Sequence, residues 1–226
     1  MIRSVIITAP GFQDEEFVYP YYRMKEAGYE VDVATKDGQI VYGKYGVPAR
    51  ATMKTIDLDV DKFDMVLLPG GFEAPDRVRL LPEVLDFIRK INDQKKLIAA
   101  ICHGPWILIS AGITKCRKMT AYWSIEADLR NSGANYQHKA PVVIDGNIIT
   151  APHYDNNGDF MKAVIEYIEK NKYSAVIFPE GTRSKDGLPK RFSENGLKML
   201  TKFAPSAYVI PMTINNCWKL NKNGKL

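Results

Sequence analysis

A cysteine and a histidine stand side by side where an apolar, strand-like run of the chain ends. The run Leu97–Ile101 leads directly into Cys102, His103, Gly104 and Pro105, and a helical stretch follows. A residue at such a strand-to-helix turn is held on a strained elbow with its side chain exposed above the sheet. The N–H groups that open the next helix are expected to favour the thiolate form of the cysteine. The pattern predicts a cysteine nucleophile, and a small buried core cysteine is the alternative.

A second turn supplies groups that a thiol nucleophile needs. Phe63–Leu68 has the composition of a buried strand, and Gly70 and Gly71 follow it. Glycine there lets the backbone approach a substrate closely, and the N–H groups of Gly71 and His103 could hold an oxyanion. Because the carboxyl ends of parallel strands meet at one edge of a sheet, this turn and Cys102 are predicted to lie together. A tight turn without a catalytic role is the alternative.

Strands that alternate with helices predict an α/β fold with a mainly parallel sheet. The predicted strands are Ile2–Thr8, Glu30–Thr35, Phe63–Leu68 and Leu97–Ile101, with a hairpin of Val142–Ile144 and Asn147–Thr150. The predicted helices are Glu15–Ala27, Pro82–Asp93, Trp106–Ala111, Ser124–Asn131 and Phe160–Glu169. The Gly- and Tyr-rich segment Gly38–Arg50 suggests a small β-ribbon.

Composition excludes several classes of protein. The 226 residues are 46% hydrophobic and 25% charged, which is ordinary for a soluble globular protein. No apolar run reaches the roughly 18 residues of a membrane helix, and no secretory signal is evident. The three cysteines lack metal-ligand spacing, so neither a metal nor another cofactor is expected, and a cytoplasmic location is the simplest expectation.

Charge divides the chain into two segments. Residues 1–170 contain 21 Lys and Arg against 23 Asp and Glu, whereas residues 171–226 contain 10 against 3. The basic charges of the second segment are spread out, so nucleic-acid binding is not expected. The α/β pattern is complete by residue 170. We therefore expect one domain at 1–170 and a short, incomplete α/β tail at 171–226.

Residues 1–170 resemble the ThiJ/PfpI superfamily, and most closely its PfpI branch of intracellular cysteine peptidases. The resemblance rests on five segments: Asp14-Glu15-Glu16, Tyr19-Pro20-Tyr21, Leu68-Pro69-Gly70-Gly71, Ala74–Arg79 and Ala100–Pro105. It implies a flavodoxin-like sandwich of the class I amidotransferase type.

The resemblance also implies roles for individual residues. Cys102 matches the nucleophile and His103 its partner, while Asp76 matches an acidic residue that a neighbouring subunit donates. Glu16 matches a glutamate that hydrogen-bonds the thiol. A homo-oligomer with the site near its interface is implied, although Asp76 is one carbon shorter than the usual glutamate.

Two functions follow from the resemblance. The first is a cytoplasmic cysteine hydrolase that acts on peptides or on small glyoxal-type adducts. The second is a redox-sensing or stress-protective protein, in which Cys102 is oxidised and Glu16 stabilises the sulfinate. His153 with Tyr154 and Asp155 is similar to the His-x-Glu of class I amidotransferases, but a loop histidine at the surface is the preferred interpretation.

The tail contains a second motif, an apolar strand that opens into Glu180, Gly181, Thr182 and Arg183. An arginine fork suits phosphate, and residues 172–215 resemble a fragment of the PlsC-type glycerolphosphate acyltransferases, in which these residues would bind glycerol phosphate. Those enzymes also need an H-x-x-x-x-D pair, and no histidine of this chain has aspartate at that spacing. Acyltransferase activity is therefore not expected.

Overall fold

The computed structural model describes residues 1–171. Its strands are β1 (Arg3–Ile7), β2 (Glu30–Thr35), β3 (Val41–Tyr42), β4 (Pro48–Ala49), β5 (Met53–Lys54), β6 (Met65–Leu68), β7 (Leu97–Ile101), β8 (Lys118–Met119), β9 (Asn135–Tyr136), β10 (Val143–Asp145) and β11 (Ile148–Ala151). Its α-helices are α1 (Asp14–Glu26), α2 (Glu73–Val78), α3 (Pro82–Asp93), α4 (Pro105–Ala111), α5 (Glu126–Asn131) and α6 (Asn157–Asn171). No helix in this part of the chain is both long and apolar enough to cross a membrane.

Seven of the strands form one sheet in the order β10-β11-β7-β6-β1-β2-β5. Every neighbouring pair is parallel except the β10–β11 hairpin. The predicted mainly parallel α/β sheet is therefore confirmed. The short strands β3 and β4 pair separately as an antiparallel ribbon, as the segment Gly38–Arg50 suggested.

The sheet is covered by helices on both faces. The chain moves outward from β1 to β2, and then returns to the other side of β1 before it moves from β6 to β7. Because such crossovers are right-handed, the reversal puts α1 and α3 on opposite faces. Helix α1 packs against α6, and α3 packs against α4. Burial from both sides explains why β6 and β7 are buried along their whole length and carry only apolar residues.

Strand order also fixes where a site can form. The direction of winding reverses between β1 and β6, and a crevice opens beyond the carboxyl ends of strands at such a switch point. The loop from β1 to α1 and the turns after β6 and β7 all begin at this edge. The sheet therefore brings together the two turns in which the sequence placed candidate chemistry.

The segment Ala74–Arg79, on which part of the resemblance rests, lies largely within helix α2 (Glu73–Val78). Pro75 does not interrupt this helix. It lies in the first turn of the helix, where its missing N–H leaves no hydrogen bond unmade.

Candidate active site

Cys102 occupies the predicted elbow between β7 and α4. Its backbone has φ +60°, a left-handed conformation that non-glycine residues rarely adopt. The surrounding backbone holds this conformation, because the Cys102 N–H donates to the Ala151 carbonyl at 2.9 Å and its own carbonyl accepts from Tyr122 N–H at 3.0 Å. The side chain is buried, with 6% of the residue exposed. An outlier held in place in this way is typical of functional sites.

The glycine turn lies directly beside the elbow. Leu68 on β6 pairs with Ala100 on β7, so Gly70 and Cys102 follow at the same level. A side chain at Gly70 would place its Cβ only 2.5 Å from the Cys102 Cβ. Gly71 has φ +77°, and its N–H, like that of His103, donates a hydrogen bond to the Cys102 sulfur. Only glycine fits at 70. The N–H groups of Gly71 and His103 both face the sulfur, and their part in holding an oxyanion stays a prediction.

Glu16 extends from α1 into the same buried space. It is fully buried, its Oε2 accepts the Gly70 N–H at 2.8 Å, and its carboxyl hydrogen-bonds the Cys102 sulfur. Burial raises the pKa of this carboxyl to about 8, although the Gly70 and Cys102 hydrogen bonds and the Lys44 charge oppose the shift. Glu16 is therefore mostly protonated at neutral pH, and its carboxyl O–H can donate a hydrogen bond once negative charge develops on the sulfur. The Gly70 N–H is taken up by Glu16, so Gly70 contributes space rather than an oxyanion donor.

The expectation that the helix N-terminus would favour the thiolate is wrong for the resting site. Burial, and next the charge of Glu16 when ionised, raise the pKa of the Cys102 thiol, and the hydrogen bonds from Gly71 and His103 offset only part of this. Helix α4 has seven residues and its influence is correspondingly local. The resting sulfur is therefore a thiol that must pass its proton to a base when it reacts.

His103 is placed to be that base. Its Nδ1 lies 3.3 Å from the Cys102 sulfur, and its Nε2 lies 3.2 Å from the Ser124 hydroxyl. Burial and the positive charge of Lys44 lower the pKa of His103 to about 4, so the ring is neutral at pH 7. A proton on Nε2 that is donated to Ser124 leaves Nδ1 free to accept from the thiol.

Aromatic side chains surround the imidazole. The His103 ring stacks on Tyr122 with centroids 4.9 Å apart, and Tyr122 stacks on Trp123 at 3.9 Å. The ring centroid of His153 lies 6.0 Å from that of Tyr122 and 3.8 Å from that of Tyr154. His153 therefore faces the site, contrary to the preferred interpretation of a surface loop histidine.

A cavity of about 390 Å³ opens above the sulfur. Its lining contains Glu16, Cys102 and His103 together with Gln13, Lys44, Tyr45, Phe72, Tyr122, His153 and Tyr154. Sequence reasoning missed Lys44, Tyr122 and Ser124 as neighbours of the nucleophile. The only available signal for Lys44 and Tyr45 was the ribbon segment, whose folding over the site no local pattern reveals.

Asp76 does not line this cavity within one chain. It is exposed on α2, and within residues 1–171 no hydrogen bond connects it to His103. Its proposed part in a neighbour's site remains a prediction. Glu180, Gly181, Thr182 and Arg183 lie outside the described residues, and so does the predicted tail domain. The first compact unit of the chain runs from Met1 to Lys172.

Comparison with known proteins gives a consistent picture for the first part of the chain. A profile of the DJ-1/PfpI family matches residues 3–167. The chain is 38% identical over 168 residues to Deglycase PfpI of Pyrococcus furiosus, which covers 74% of this chain and 98% of that protein. It is 36% identical over 170 residues to General stress protein 18 of Bacillus subtilis, again covering 74% and 98% of the two chains.

A solved structure and a second family profile complete the comparison. The crystal structure of a two-domain protein with DJ-1/ThiJ/PfpI-like and ferritin-like domains from Anabaena variabilis has a TM-score of 0.73 and 32% identity, covering 75% of this chain and 48% of that one. The second profile, Acyltransferase, matches residues 146–215. This match begins earlier than the predicted fragment at 172–215, at the turn between β10 and β11, and it therefore includes β11 and α6 of the first unit.

Proposed function

The chain belongs to the DJ-1/PfpI family, as the resemblance predicted, and from this premise we propose that it is a Cys102-dependent hydrolase of glyoxal-type adducts. The observation that carries the proposal is the grouping of the Cys102 sulfur with a neutral imidazole at 3.3 Å, a buried carboxyl and two N–H donors. Such a grouping provides a nucleophile, a base and stabilisation for developing negative charge. A relative named as a deglycase supports this class of substrate.

The reaction begins with transfer of the thiol proton to His103 Nδ1. The sulfur then attacks the carbinol carbon of the adduct, a carbon–sulfur bond forms, and the amine or thiol to which the adduct was attached leaves with the proton from His103. Transfer of the carbinol C–H proton to the adjacent carbonyl carbon, together with transfer of the carbinol O–H proton to the carbonyl oxygen, yields a 2-hydroxyacyl thioester on Cys102. Water releases the hydroxy acid and restores the thiol, so the net change is the addition of one water molecule.

The other polar groups of the site stabilise the charges that develop during the reaction or orient His103. The N–H groups of Gly71 and His103 stabilise the oxyanions that precede and follow the thioester. Protonated Glu16 donates to the sulfur while it carries negative charge and accepts no charge itself. Ser124 orients His103 through Nε2. In an oligomer, Asp76 of a neighbouring subunit would approach the same imidazole and stabilise its protonated form.

Turnover by purified protein tests the proposal. Methylglyoxal adducts of a simple thiol or amine should be converted to the hydroxy acid without added cofactor, and a fluorogenic peptide tests peptidase activity beside it. Cys102→Ala should reduce turnover by about 10³-fold or more, because removal of a nucleophile eliminates the covalent route. Cys116→Ala is the matched control, since Cys116 is an exposed free cysteine and lies outside the cavity. Turnover that survives in Cys102→Ala would refute the proposal.

The second function is a redox-sensing or protective one. The observation that favours it is the protonated Glu16 beside the sulfur, because a carboxyl O–H can donate to a sulfinate oxygen. A relative is named as a general stress protein. Mild peroxide followed by mass spectrometry distinguishes the two functions: stoichiometric oxidation of Cys102 without turnover supports the sensor, and turnover supports the hydrolase. We propose the cytoplasm as the location for either function.

A further inference from the structure

The cavity above Cys102 contains one cationic side chain that the proposed chemistry does not use. Lys44 lies on the ribbon between β3 and β4, it lines the cavity, and its Nζ stands 5.2 Å from the centre of the Phe72 ring. Within residues 1–171 no ion pair joins it to an acidic side chain. Lys44 is an exposed residue that lines the cavity, and a cation there without an acidic partner among the described residues can attract an anion.

The backbone of the ribbon is held in place by specific contacts, so the exposed Lys44 side chain projects from a fixed position. The buried carboxylate of Asp14 accepts the N–H groups of Tyr45 at 3.0 Å and Val47 at 2.9 Å. The Lys44 N–H itself donates to the Phe12 carbonyl at 2.9 Å. Asp14 opens α1 two residues before Glu16, so the element that supplies Glu16 also anchors Lys44.

Glu16, His103 and Cys102, which line the cavity with Lys44, do not neutralise this cation. At pH 7 the Glu16 carboxyl is mostly protonated and the His103 ring is neutral, because burial shifts both pKa values in the direction of the uncharged form. Burial likewise keeps Cys102 in its thiol form. Lys44 is close enough to influence the titration of both Glu16 and His103. The cavity therefore presents one positive charge near the nucleophile.

We propose that Lys44 is a specificity-determining residue that binds a carboxylate of the substrate, close to the carbon that Cys102 attacks. A single cation in a cavity of about 390 Å³ suits a small monoanion. A phosphate dianion would require more donors. The inference rests on the proposed function, and it narrows the substrates to glyoxal-type adducts that carry a carboxylate, such as those of small amino acids or thiol acids.

Alkylation of Cys102 tests the anion site without relying on turnover. Iodoacetate and iodoacetamide differ only in the carboxylate: with each, a sulfur–carbon bond forms, iodide leaves, and the thiol proton passes to solvent. The rate for each reagent is followed on the peptide that contains Cys102, at one pH and low ionic strength. We expect the ratio of the iodoacetate rate to the iodoacetamide rate to fall roughly three- to tenfold in Lys44→Gln.

Two control variants and a salt dependence make this result specific to the charge of Lys44. Lys44→Arg keeps the charge and should keep the ratio, and Lys36→Gln should not change it, because Lys36 is exposed outside the cavity. Added salt should reduce the ratio of the wild-type protein. An unchanged ratio in Lys44→Gln, or an equal fall in Lys36→Gln, would overturn the proposal.

Turnover provides the second arm. The methylglyoxal hemithioacetals of 3-mercaptopropionate and 3-mercaptopropionamide are matched in size and differ in charge. Wild type should favour the anionic adduct through a lower KM, and Lys44→Gln should abolish the preference. Equal KM values in wild type would contradict the carboxylate site. Failure of the proposed function would instead appear as turnover of both adducts that persists in Cys102→Ala.

Discussion

The Cys102 thiol and the Glu16 carboxyl share one buried space, so their protonation states are linked. When Glu16 is ionised, its charge and a hydrogen bond from the thiol to its carboxylate oppose the thiolate, whereas a protonated Glu16 can donate a hydrogen bond to a negatively charged sulfur. A thiol that is neutral at rest is protected from indiscriminate alkylation and oxidation. His103, also neutral, completes a site in which charge develops only during the reaction.

This linkage predicts how the stability of the protein depends on pH. The Glu16 pKa is raised from 4.5 to about 8, so between these values the folded state keeps a proton that the unfolded state has lost. The free energy of unfolding should therefore fall as pH rises through this window. The lowered pKa of His103 has the opposite effect, but only between about 4 and 6.5. Of these two contributions to the pH dependence of stability, only that of Glu16 acts between pH 6.5 and 8.

Urea unfolding of wild type and Glu16→Gln at pH 6.5 and pH 8 measures the effect. At about 1.4 kcal/mol per pKa unit, the wild-type free energy of unfolding should fall by about 2 kcal/mol across this window, and that of Glu16→Gln should change much less. Glu26→Gln is the control, because Glu26 lies exposed on the same helix. Parallel pH profiles for wild type and Glu16→Gln would show that the carboxyl is not held protonated.

At the scale of elements, sequence reasoning located the parts with strong local signals. The apolar run of β7, followed by Gly104 and Pro105, predicted both the elbow and helix α4. Strands β5, β8 and β9 have two residues each, too few for any periodicity, and their pairing is decided by tertiary contacts. The position of His153 is likewise decided by tertiary pairing. Strand β11 is parallel to β7, so the turn that follows β11 lies beside the Cys102 elbow that follows β7.

The β3–β4 ribbon is the element whose position matters most to specificity. Asp14→Ala removes the acceptor of two backbone N–H groups, and hydrogen bonds to a charged group contribute about 1.5–3 kcal/mol. We expect the free energy of unfolding to fall by about 2 kcal/mol, measured in urea. We also expect KM for the anionic adduct to rise, because Lys44 is no longer held over the cavity. Asp37→Ala, at an exposed turn, should change neither quantity, and a normal KM in a destabilised Asp14→Ala would refute the positioning role.

At the scale of the whole molecule, family membership and the mainly parallel sheet could be predicted from sequence, because the motifs span most of residues 1–170. The part of Asp76 in a second subunit's site stays a prediction, because no local sequence pattern reveals which surfaces of two chains meet. That residues 171–226 form an acyltransferase-like fragment without acyltransferase activity stays a prediction.

A shared site predicts complementation between two inactive variants. Cys102→Ala lacks the nucleophile and Asp76→Asn lacks the proposed donated carboxylate, so each alone should show little activity. Coexpression of the two should restore a measurable fraction of turnover, because some mixed sites contain both an intact Cys102 and an intact Asp76. Gel filtration identifies the mixed oligomer. Full activity of Asp76→Asn alone would show that each chain completes its own site.

The most direct test of the central claim, covalent catalysis at Cys102, is a rapid acid quench of the working protein followed by peptide mass analysis. During turnover of a methylglyoxal adduct, the peptide that contains Cys102 should carry one 2-hydroxyacyl group, which disappears when substrate is exhausted. The Cys116 peptide should remain unmodified. Sustained turnover with an unmodified Cys102 peptide at every quench time, or an acyl group that never turns over, would contradict the account.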